Sequence, residues 1–225
     1  MVTAIIVAAG KSERMGGGAD KAFLNLGSKP VVAWSLLAFE KNPDIDSIVL
    51  VVRKDQVTAA KAVARMFGIS KLSKVVPGGA RRQDSVQAGL KEVDSDTRIV
   101  AVHDGARPCI AQDVISDVIK SARRGVASVP GCRVRDTVKV VEKGTSVSVT
   151  VDRSKHWVVQ TPQAFPYSML RKAYAAVEAD GKEVLDDAQA VEILGETVKI
   201  CESNKLNLKI TTPEDLQIAA ALLKL

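Results

Sequence analysis

Residues 2–21 read VTAIIVAAGKSERMGGGADK, and this stretch decides the fold. Its first part, Val2–Val7, is a short apolar run rich in β-branched residues, which predicts a buried strand. The strand runs directly into a loop of small residues, which let a backbone approach a ligand closely. That loop also carries three cations, Lys11, Arg14 and Lys21. Backbone N–H groups and basic side chains together suit a polyanion such as a triphosphate.

Two familiar phosphate-binding motifs do not account for this loop. A Walker A loop has a glycine five positions before its Gly-Lys-Ser, whereas Ile5 occupies that place before Gly10–Ser12. A dinucleotide fingerprint that starts at Gly10 needs glycine at its third and sixth positions, which here are Ser12 and Met15. The alternative to ligand binding is a flexible surface loop with solvated cations.

Composition narrows the class of protein. A chain of 225 residues with 46% apolar residues is expected to form a single domain, residues 1–225, around an ample core. It has no apolar stretch that could span a bilayer and no charged-then-apolar leader, so no membrane partner is expected. Three cysteines, an odd number, predict reduced thiols in a cytoplasmic protein. Basic residues are scattered and aromatic residues are few, which argues against nucleic acid as a partner.

Apolar runs alternate with helical patterns through the first 130 residues. Such alternation predicts an α/β, Rossmann-like fold, with a mostly parallel sheet flanked by helices on both faces. After the first strand, the predicted strands are 45–52, 72–76, 98–102 and 126–129, and the predicted helices are 30–40, 56–67, 85–93 and 112–124.

The pattern changes near residue 132. Two β-type runs, Arg135–Val141 and Val147–Val151, are joined by a turn-like segment and predict a hairpin that stands apart from the sheet. Further strands are predicted at 158–160, 198–201 and 206–210, and helices at 167–178 and 186–194. Thr212 as N-cap, followed by Pro213, predicts the start of the last helix.

Polar or glycine-rich residues follow each predicted strand of the first half. Open α/β sheets bind ligands at the carboxyl ends of their strands, so these residues predict one composite site for a phosphorylated ligand. Asp104 is a candidate magnesium ligand there, with a turn or capping role as the alternative. Its neighbour His103 is interpreted as a structural histidine. The contributions of the three strand ends are Gly10 with Lys21, Gly78–Gly79 with Ser85, and Asp104 with Arg107.

Two further basic features need an explanation. Lys209 interrupts an apolar run, which indicates either an exposed edge strand or an anionic partner. Arg81 and Arg82 stand at a predicted helix N-terminus, which indicates either solvated first-turn residues or, because the helix dipole disfavours cations there, a paired or ligand-bound role.

Taken in order, the motifs resemble those of the 2-C-methyl-D-erythritol 4-phosphate cytidylyltransferase family of nucleotidyltransferases. The resemblance covers almost the whole chain, and the complete ordered set is far more specific than any single motif. The matching pieces are Ala8–Gly10, Arg14–Met15, Lys21, Gly78–Gly79 with Arg82 and Ser85, His103–Asp104 with Ala106–Pro108, Arg135–Thr137, Asp152–Arg153, Thr161–Gln163, Asp186–Asp187, Lys209–Thr211 and Pro213–Asp215.

This resemblance implies roles for individual residues in cytidylyl transfer from CTP, with Mg²⁺ or another divalent cation at Asp104. Arg14 and Lys21 would stabilise the transition state, and Arg153 and Lys209 would position the attacking phosphate. The implied nucleotide-binding residues are Ala8, Ala9, Gly10, Lys11, Gly79, Ala80, Ser85, Asp104 and Gly105. The implied substrate-binding residues are Arg107, Thr137, Arg153, Thr161 and Lys209.

The resemblance further implies a homodimer. A β-arm at about residues 133–151 would reach the partner chain, where Thr137 and Arg107 would help to complete the partner's substrate site.

Three alternatives stay open from the sequence. A ribitol-5-phosphate cytidylyltransferase would share the CTP site and differ in the polyol pocket. A non-catalytic nucleotide- or nucleic-acid-binding protein would show salt-sensitive binding and no pyrophosphate release. A sugar-1-phosphate nucleotidyltransferase with another base is disfavoured by the short chain and the arm pattern.

Overall fold

A computed structural model describes residues 1–10, 20–203 and 206–225. The strands are β1 Val2–Ala8, β2 Asn25–Leu26, β3 Lys29–Pro30, β4 Ser47–Val52, β5 Leu72–Pro77, β6 Ile99–Asp104, β7 Ala127–Arg133, β8 Lys139–Val141, β9 Val147–Thr150, β10 Trp157–Val159, β11 Gln163–Pro166 and β12 Val198–Glu202. The α-helices are α1 Val31–Lys41, α2 Val57–Met66, α3 Arg82–Lys91, α4 Gln112–Ala122, α5 Tyr167–Ala179, α6 Asp187–Ile193 and α7 Pro213–Leu223.

Eight strands of the described chain form one mixed sheet with a parallel centre. Its order is β10-β7-β11-β6-β1-β4-β5, and β12 pairs with β7. The strands β6, β1, β4 and β5 are parallel, with Val7 opposite Asp104 and Ala8 opposite Val52. The carboxyl ends of these four strands therefore meet at one edge. The predicted α/β fold with a mostly parallel sheet is confirmed.

Helices cover both faces of the sheet. Successive side chains of a strand point to opposite faces, so Ile6 belongs to the apolar cluster with α1, α2 and α4, and Ile5 to the cluster with α3, α5 and α6. Strands buried on both faces are near-continuous apolar runs, which is why β1 and β4 were recognisable in the sequence. No helix of the described segments combines the length and apolar character needed to cross a membrane.

Three strands of the structure, β2, β3 and β11, were not predicted, and one predicted strand is absent. The strand β11 pairs antiparallel with β6 and β7. The strand predicted at 206–210 is wrong, because this segment forms no β-ladder with a neighbouring strand. It is held instead by isolated hydrogen bonds, such as that from the Ile210 N–H to the Ala106 carbonyl at 2.8 Å.

The predicted hairpin is confirmed. The strands β8 and β9 form their own antiparallel pair, separate from the main sheet. Every residue of both strands is exposed, and four valines, Val140, Val141, Val147 and Val149, are between 39% and 56% exposed. The hairpin is therefore an uncovered two-stranded ribbon with apolar side chains on its surface.

The start of α7 depends on one carboxylate. Asp215 accepts hydrogen bonds from the N–H groups of Thr211 (2.7 Å) and Thr212 (2.9 Å) and from the Thr211 hydroxyl (2.8 Å). We expect Asp215→Asn to lower the free energy of unfolding by about 1 kcal/mol at pH 7, measured by urea denaturation.

The pH dependence of this effect has a defined sign. Burial alone would raise the pKa of Asp215, but its hydrogen bonds lower it. The stabilisation is therefore complete above about pH 4 and is lost as the pH falls through the pKa of the folded state. Glu214→Gln, on the same turn but exposed, is the matched control. An equal loss in this variant would show that helix-dipole charge, rather than capping, is responsible.

Candidate active site

A cleft of about 330 Å³ lies at the carboxyl edge of the parallel strands, a size suited to a small-molecule ligand. Its walls come from the ends of β1, β4, β5 and β6, the start of α3 and the segment before α7. The lining residues are Val7, Ala8, Ala9, Gly10, Asp20, Lys21, Ala22, Arg53, Lys54, Gly78, Gly79, Ala80, Arg81, Arg82, Ser85, Asp104, Ala106 and Lys209.

One wall of the cleft is nearly bare backbone. A Cβ on Gly78 would lie 2.5 Å from the Ala9 Cβ, and a Cβ on Gly79 would lie 2.4 Å from the Asp84 Cβ. These positions therefore require glycine. The buried Ser85 hydroxyl accepts a hydrogen bond from the Gly79 N–H at 3.2 Å, which fixes the turn between β5 and α3. A wall of this kind can hold a flat ring by contacts with backbone groups.

Asp104, the last residue of β6, is surrounded by cations. Its Oδ2 lies 2.9 Å from Lys209 Nζ and 3.2 Å from Arg107 Nε, and its Oδ1 lies 3.4 Å from Arg82 Nε. Burial raises the pKa of the Asp104 carboxyl, but the charges of Lys209, Arg82 and Arg107 outweigh burial and hold the pKa well below its usual range. The group is therefore a carboxylate at neutral pH.

The backbone of Asp104 is held by Thr161, whose hydroxyl in turn contacts a neutral histidine. The Asp104 N–H donates to Thr161 Oγ1 at 3.0 Å, and that hydroxyl lies 3.1 Å from His103 Nδ1. Complete burial lowers the pKa of His103 to about 3, so its ring is neutral. His103 is thus a structural residue, as the sequence predicts.

Lys209 reaches the cleft because Asn207 fixes the segment before it. The buried Asn207 donates from its Nδ2 to the Thr161 carbonyl at 2.6 Å, and its own carbonyl accepts from Arg107 Nη1 at 2.7 Å. Of the two interpretations of Lys209, the anionic partner is right, and that partner is Asp104.

The arginines at the start of α3 are both paired. Arg81 bonds Asp84 on the same turn at 2.8 Å. Arg82 lies between Asp104 and the fully buried Asp187, which it contacts at 2.7 Å. Burial lowers the pKa of Arg82, but the two carboxylates outweigh burial and raise it. The unfavourable position of a cation at a helix N-terminus is therefore offset by two anions.

Lys21 also lines the cleft and directly follows a buried carboxylate. Asp20 caps the short 3₁₀ turn Lys21–Phe23 by accepting from the Ala22 N–H at 3.1 Å, and Arg53 Nε lies 3.8 Å from its second oxygen. Burial raises the pKa of Asp20. Arg53 and Lys54 also line the cleft and were missed in the sequence, although two cations directly after a predicted strand carried the same strand-end signal.

The structure brings together many of the sequence-predicted site residues. Gly105, Arg107 and Thr161 stand behind the cleft around Asp104, whereas Thr137 and Arg153 lie near the hairpin and do not line the cleft in the described chain. Lys11 and Arg14 fall outside the described residues. Those that line the cleft are Ala8, Ala9, Gly10, Lys21, Gly79, Ala80, Ser85, Asp104 and Lys209.

A parallel α/β sheet with small residues after its first strand, and with cations gathered around one carboxylate at the same edge, is typical of a nucleotidyltransferase. Residues 2–225 match the family IspD, described as 2-C-methyl-D-erythritol 4-phosphate cytidylyltransferase. The chain belongs to this family.

Individual members of this family are similar to the chain over nearly its whole length. The 2-C-methyl-D-erythritol 4-phosphate cytidylyltransferase of Alkaliphilus oremlandii is 42% identical over 98% of this chain and 94% of its own. The crystal structure of 4-diphosphocytidyl-2C-methyl-D-erythritol synthase from Anaerococcus prevotii superposes with a TM-score of 0.87 at 30% identity and covers 100% and 96% of the two chains. The cytidylyltransferase structure from Thermus thermophilus gives a TM-score of 0.81 at 31% identity and covers 98% of each chain.

Proposed function

We propose that this cleft catalyses the reaction of the family, with the residues around Asp104 carrying the chemistry. The chain transfers the cytidylyl group of CTP to 2-C-methyl-D-erythritol 4-phosphate, a step of isoprenoid biosynthesis. A phosphate oxygen of the polyol phosphate attacks the α-phosphorus of CTP, and the bond to the departing pyrophosphate breaks. The observation that carries the proposal is a single cleft at the carboxyl edge of the sheet that Lys21, Asp104 and Lys209 line together, with Lys209 paired to Asp104.

The nucleotide is proposed to lie along the backbone wall. The base would lie against Gly79, Ala80 and Ser85, which line the cleft where β5 turns into α3. The triphosphate would follow the small residues Ala8–Gly10 after β1, with Gly105 and Lys11 as further contributors. This order is supported by the fold, since ligands of open α/β sheets lie outside the carboxyl ends of the strands.

The transfer step requires neutralisation of charge more than covalent help. Two anions must be held together while negative charge develops on the phosphorus oxygens, and fixed cations lower the energy of that state. Lys21 is proposed to act there together with Arg14. Lys209 is proposed to hold the attacking phosphate, which would draw its ammonium away from Asp104.

The donor set fits a divalent ion that enters with the nucleotide. The described residues form no cluster of three or more acidic, histidine or cysteine side chains that could hold a metal alone. Mg²⁺ is commonly held by one or two carboxylates together with substrate phosphates, and Asp104 supplies one carboxylate in the cleft. When bound, the ion would neutralise phosphate charge. Asp104 Oδ1 is the more lightly held oxygen, because Arg82 contacts it at 3.4 Å.

The chain is proposed to be one nucleotidyltransferase domain, residues 1–225, that forms a homodimer through an arm at about residues 133–151. The exposed valines of β8 and β9 support this proposal, since a partner chain would cover them. A cytoplasmic location is proposed as well, because all three cysteines are free thiols.

The arm also explains the position of Arg153. This side chain bonds the Arg135 carbonyl and lies outside the cleft of its own chain as described. We expect Arg153→Ala to raise the KM for the polyol phosphate at least tenfold and to leave the KM for CTP unchanged, as measured by pyrophosphate release. An effect confined to CTP would contradict the role in positioning the polyol phosphate.

Mixed dimers test whether Arg153 and Thr137 serve the partner's cleft. If Arg153 acts across the dimer, chains carrying Arg153→Ala and chains carrying Lys21→Ala form one intact site in each mixed dimer. With the polyol phosphate well below its KM, where Arg153→Ala sites are strongly impaired, random re-association would then restore roughly a quarter of wild-type turnover. No recovery, with mixed dimers demonstrated by tagged subunits, would confine Arg153 to its own chain.

The substrate assay tests the function itself. Purified protein with CTP and Mg²⁺ is offered 2-C-methyl-D-erythritol 4-phosphate and, separately, ribitol 5-phosphate. We expect pyrophosphate release with the first substrate at a kcat/KM at least 10²-fold above that with the second. A pocket built to hydrogen-bond one polyol leaves some of its buried polar groups unpaired when it holds the other, and this lowers kcat/KM. Equal or reversed preference would contradict the assignment of substrate.

A further inference from the structure

A buried polar cluster stands behind Arg82 and plays no part in the chemistry described above. Asp187, the first residue of α6, is fully buried and accepts from Arg82 Nη2 at 2.7 Å and from the Tyr174 hydroxyl at 2.5 Å. Its backbone N–H donates to Gln163 Oε1 at 3.1 Å. Each oxygen of the Asp187 carboxylate thus has one donor, and α5, α6 and β11 hold the group in place.

Arg82 divides its guanidinium between two carboxylates of different accessibility. Its Nη2 lies 2.7 Å from Asp187, whereas its Nε lies 3.4 Å from Asp104. A guanidinium forms its strongest pairs as a two-bond fork with one carboxylate, and Asp187 keeps Arg82 from making such a fork with Asp104.

We propose that Asp187, held by Tyr174, is a positioning residue that keeps Arg82 off Asp104 and so leaves Asp104 Oδ1 available to a divalent cation that arrives with the nucleotide. This inference rests on the proposed metal role of Asp104. Without the negative charge of Asp187, Arg82 turns to Asp104 and competes with the cation for the same oxygen. The loss therefore falls on the metal-bound form of CTP and spares the metal-free form.

Calorimetric titration of the full-length protein separates the two forms of the nucleotide. CTP is titrated once with excess Mg²⁺ and once with a chelator. We expect Asp187→Asn, an almost isosteric change, to weaken binding of Mg²⁺-CTP about tenfold and to change the Kd of metal-free CTP less than twofold. Tyr174→Phe, which removes one hydroxyl and keeps the ring, should weaken Mg²⁺-CTP binding about threefold.

The neighbouring residue supplies a matched control. Asp186 caps α6 by accepting from the Gln189 N–H at 2.9 Å through one oxygen, and its other oxygen accepts from the Gln163 amide at 2.7 Å. Asp186→Asn should perturb the same helix and leave the preference for Mg²⁺-CTP intact. An equal loss of that preference in Asp186→Asn would assign Asp187 a merely structural role.

Three outcomes distinguish the possible failures. Equal weakening of both nucleotide forms by Asp187→Asn overturns the positioning role. If Asp187→Asn does not fold, Tyr174→Phe decides, and an unchanged preference for Mg²⁺-CTP in that variant overturns the proposal. If the wild-type protein binds both forms equally and Asp104→Asn changes neither, the metal role of Asp104 fails and the inference fails with it.

Discussion

Replacement of Lys21 with alanine is expected to lower kcat by about 10³-fold and to leave the fold intact, because one preorganised charge at a developing anion contributes roughly 10²–10³ in rate. Lys21 lines the cleft on a short turn fixed by the Asp20 cap. Its ammonium would meet charge that develops only as the α-phosphorus becomes pentacoordinate. The KM for CTP should therefore change much less than kcat.

The Lys21 variant needs a control for charge alone. Lys41→Ala removes a lysine of equal length from the exposed end of α1, and its turnover should equal that of the wild type. Steady-state pyrophosphate release and a thermal unfolding curve are measured for both variants. Unchanged kcat in Lys21→Ala, with Lys41→Ala also unchanged, would remove Lys21 from the transition state.

The hydrophobic pattern of the sequence predicted the central strands and helices, because each of these elements is specified by residues within its own segment. The runs at β1, β4 and β6 are apolar on both faces, and the helices between them begin and end at recognisable residues such as Gly68, which has a φ of +65°. By contrast, β11 is four residues long and has no alternation. Its pairing with β6 is set by tertiary contacts, which short-range sequence patterns do not encode.

The sequence predicted the site residues that directly follow the apolar strands, but not the contacts that they make with distant segments. Asp104 follows from its place at the end of an apolar run, but its contact with Lys209 depends on how Asn207 fastens a segment without secondary structure. The pair of Arg82 and Asp187 spans 105 residues of sequence. Asp187 belongs to one of the motifs that match the family, but an aspartate at a helix N-terminus is ordinary in any sequence, so its pairing with Arg82 could not be predicted.

Loss of the carboxylate at Asp104 should move binding and turnover in opposite directions. In the folded protein this group partly neutralises Lys209, Arg82 and Arg107. Asp104→Asn leaves those cations uncompensated at the edge of the cleft, so metal-free CTP, a polyanion, should bind several-fold more tightly. Turnover should fall by about 10³-fold, since a metal ion contributes several kcal/mol to transition-state stabilisation and each 1.36 kcal/mol is tenfold in rate.

These opposite changes separate a metal-binding role from general damage to the site. A distorted cleft would weaken nucleotide binding and turnover together, whereas removal of one negative charge strengthens the first and weakens the second. Asp117→Asn is the matched control, because it removes an exposed carboxylate that pairs with Lys120 on the surface of α4. Calorimetry with CTP and chelator, together with pyrophosphate release at saturating Mg²⁺, measures both quantities. Weaker binding of metal-free CTP by Asp104→Asn would show that Asp104 holds the site together rather than balancing its charge.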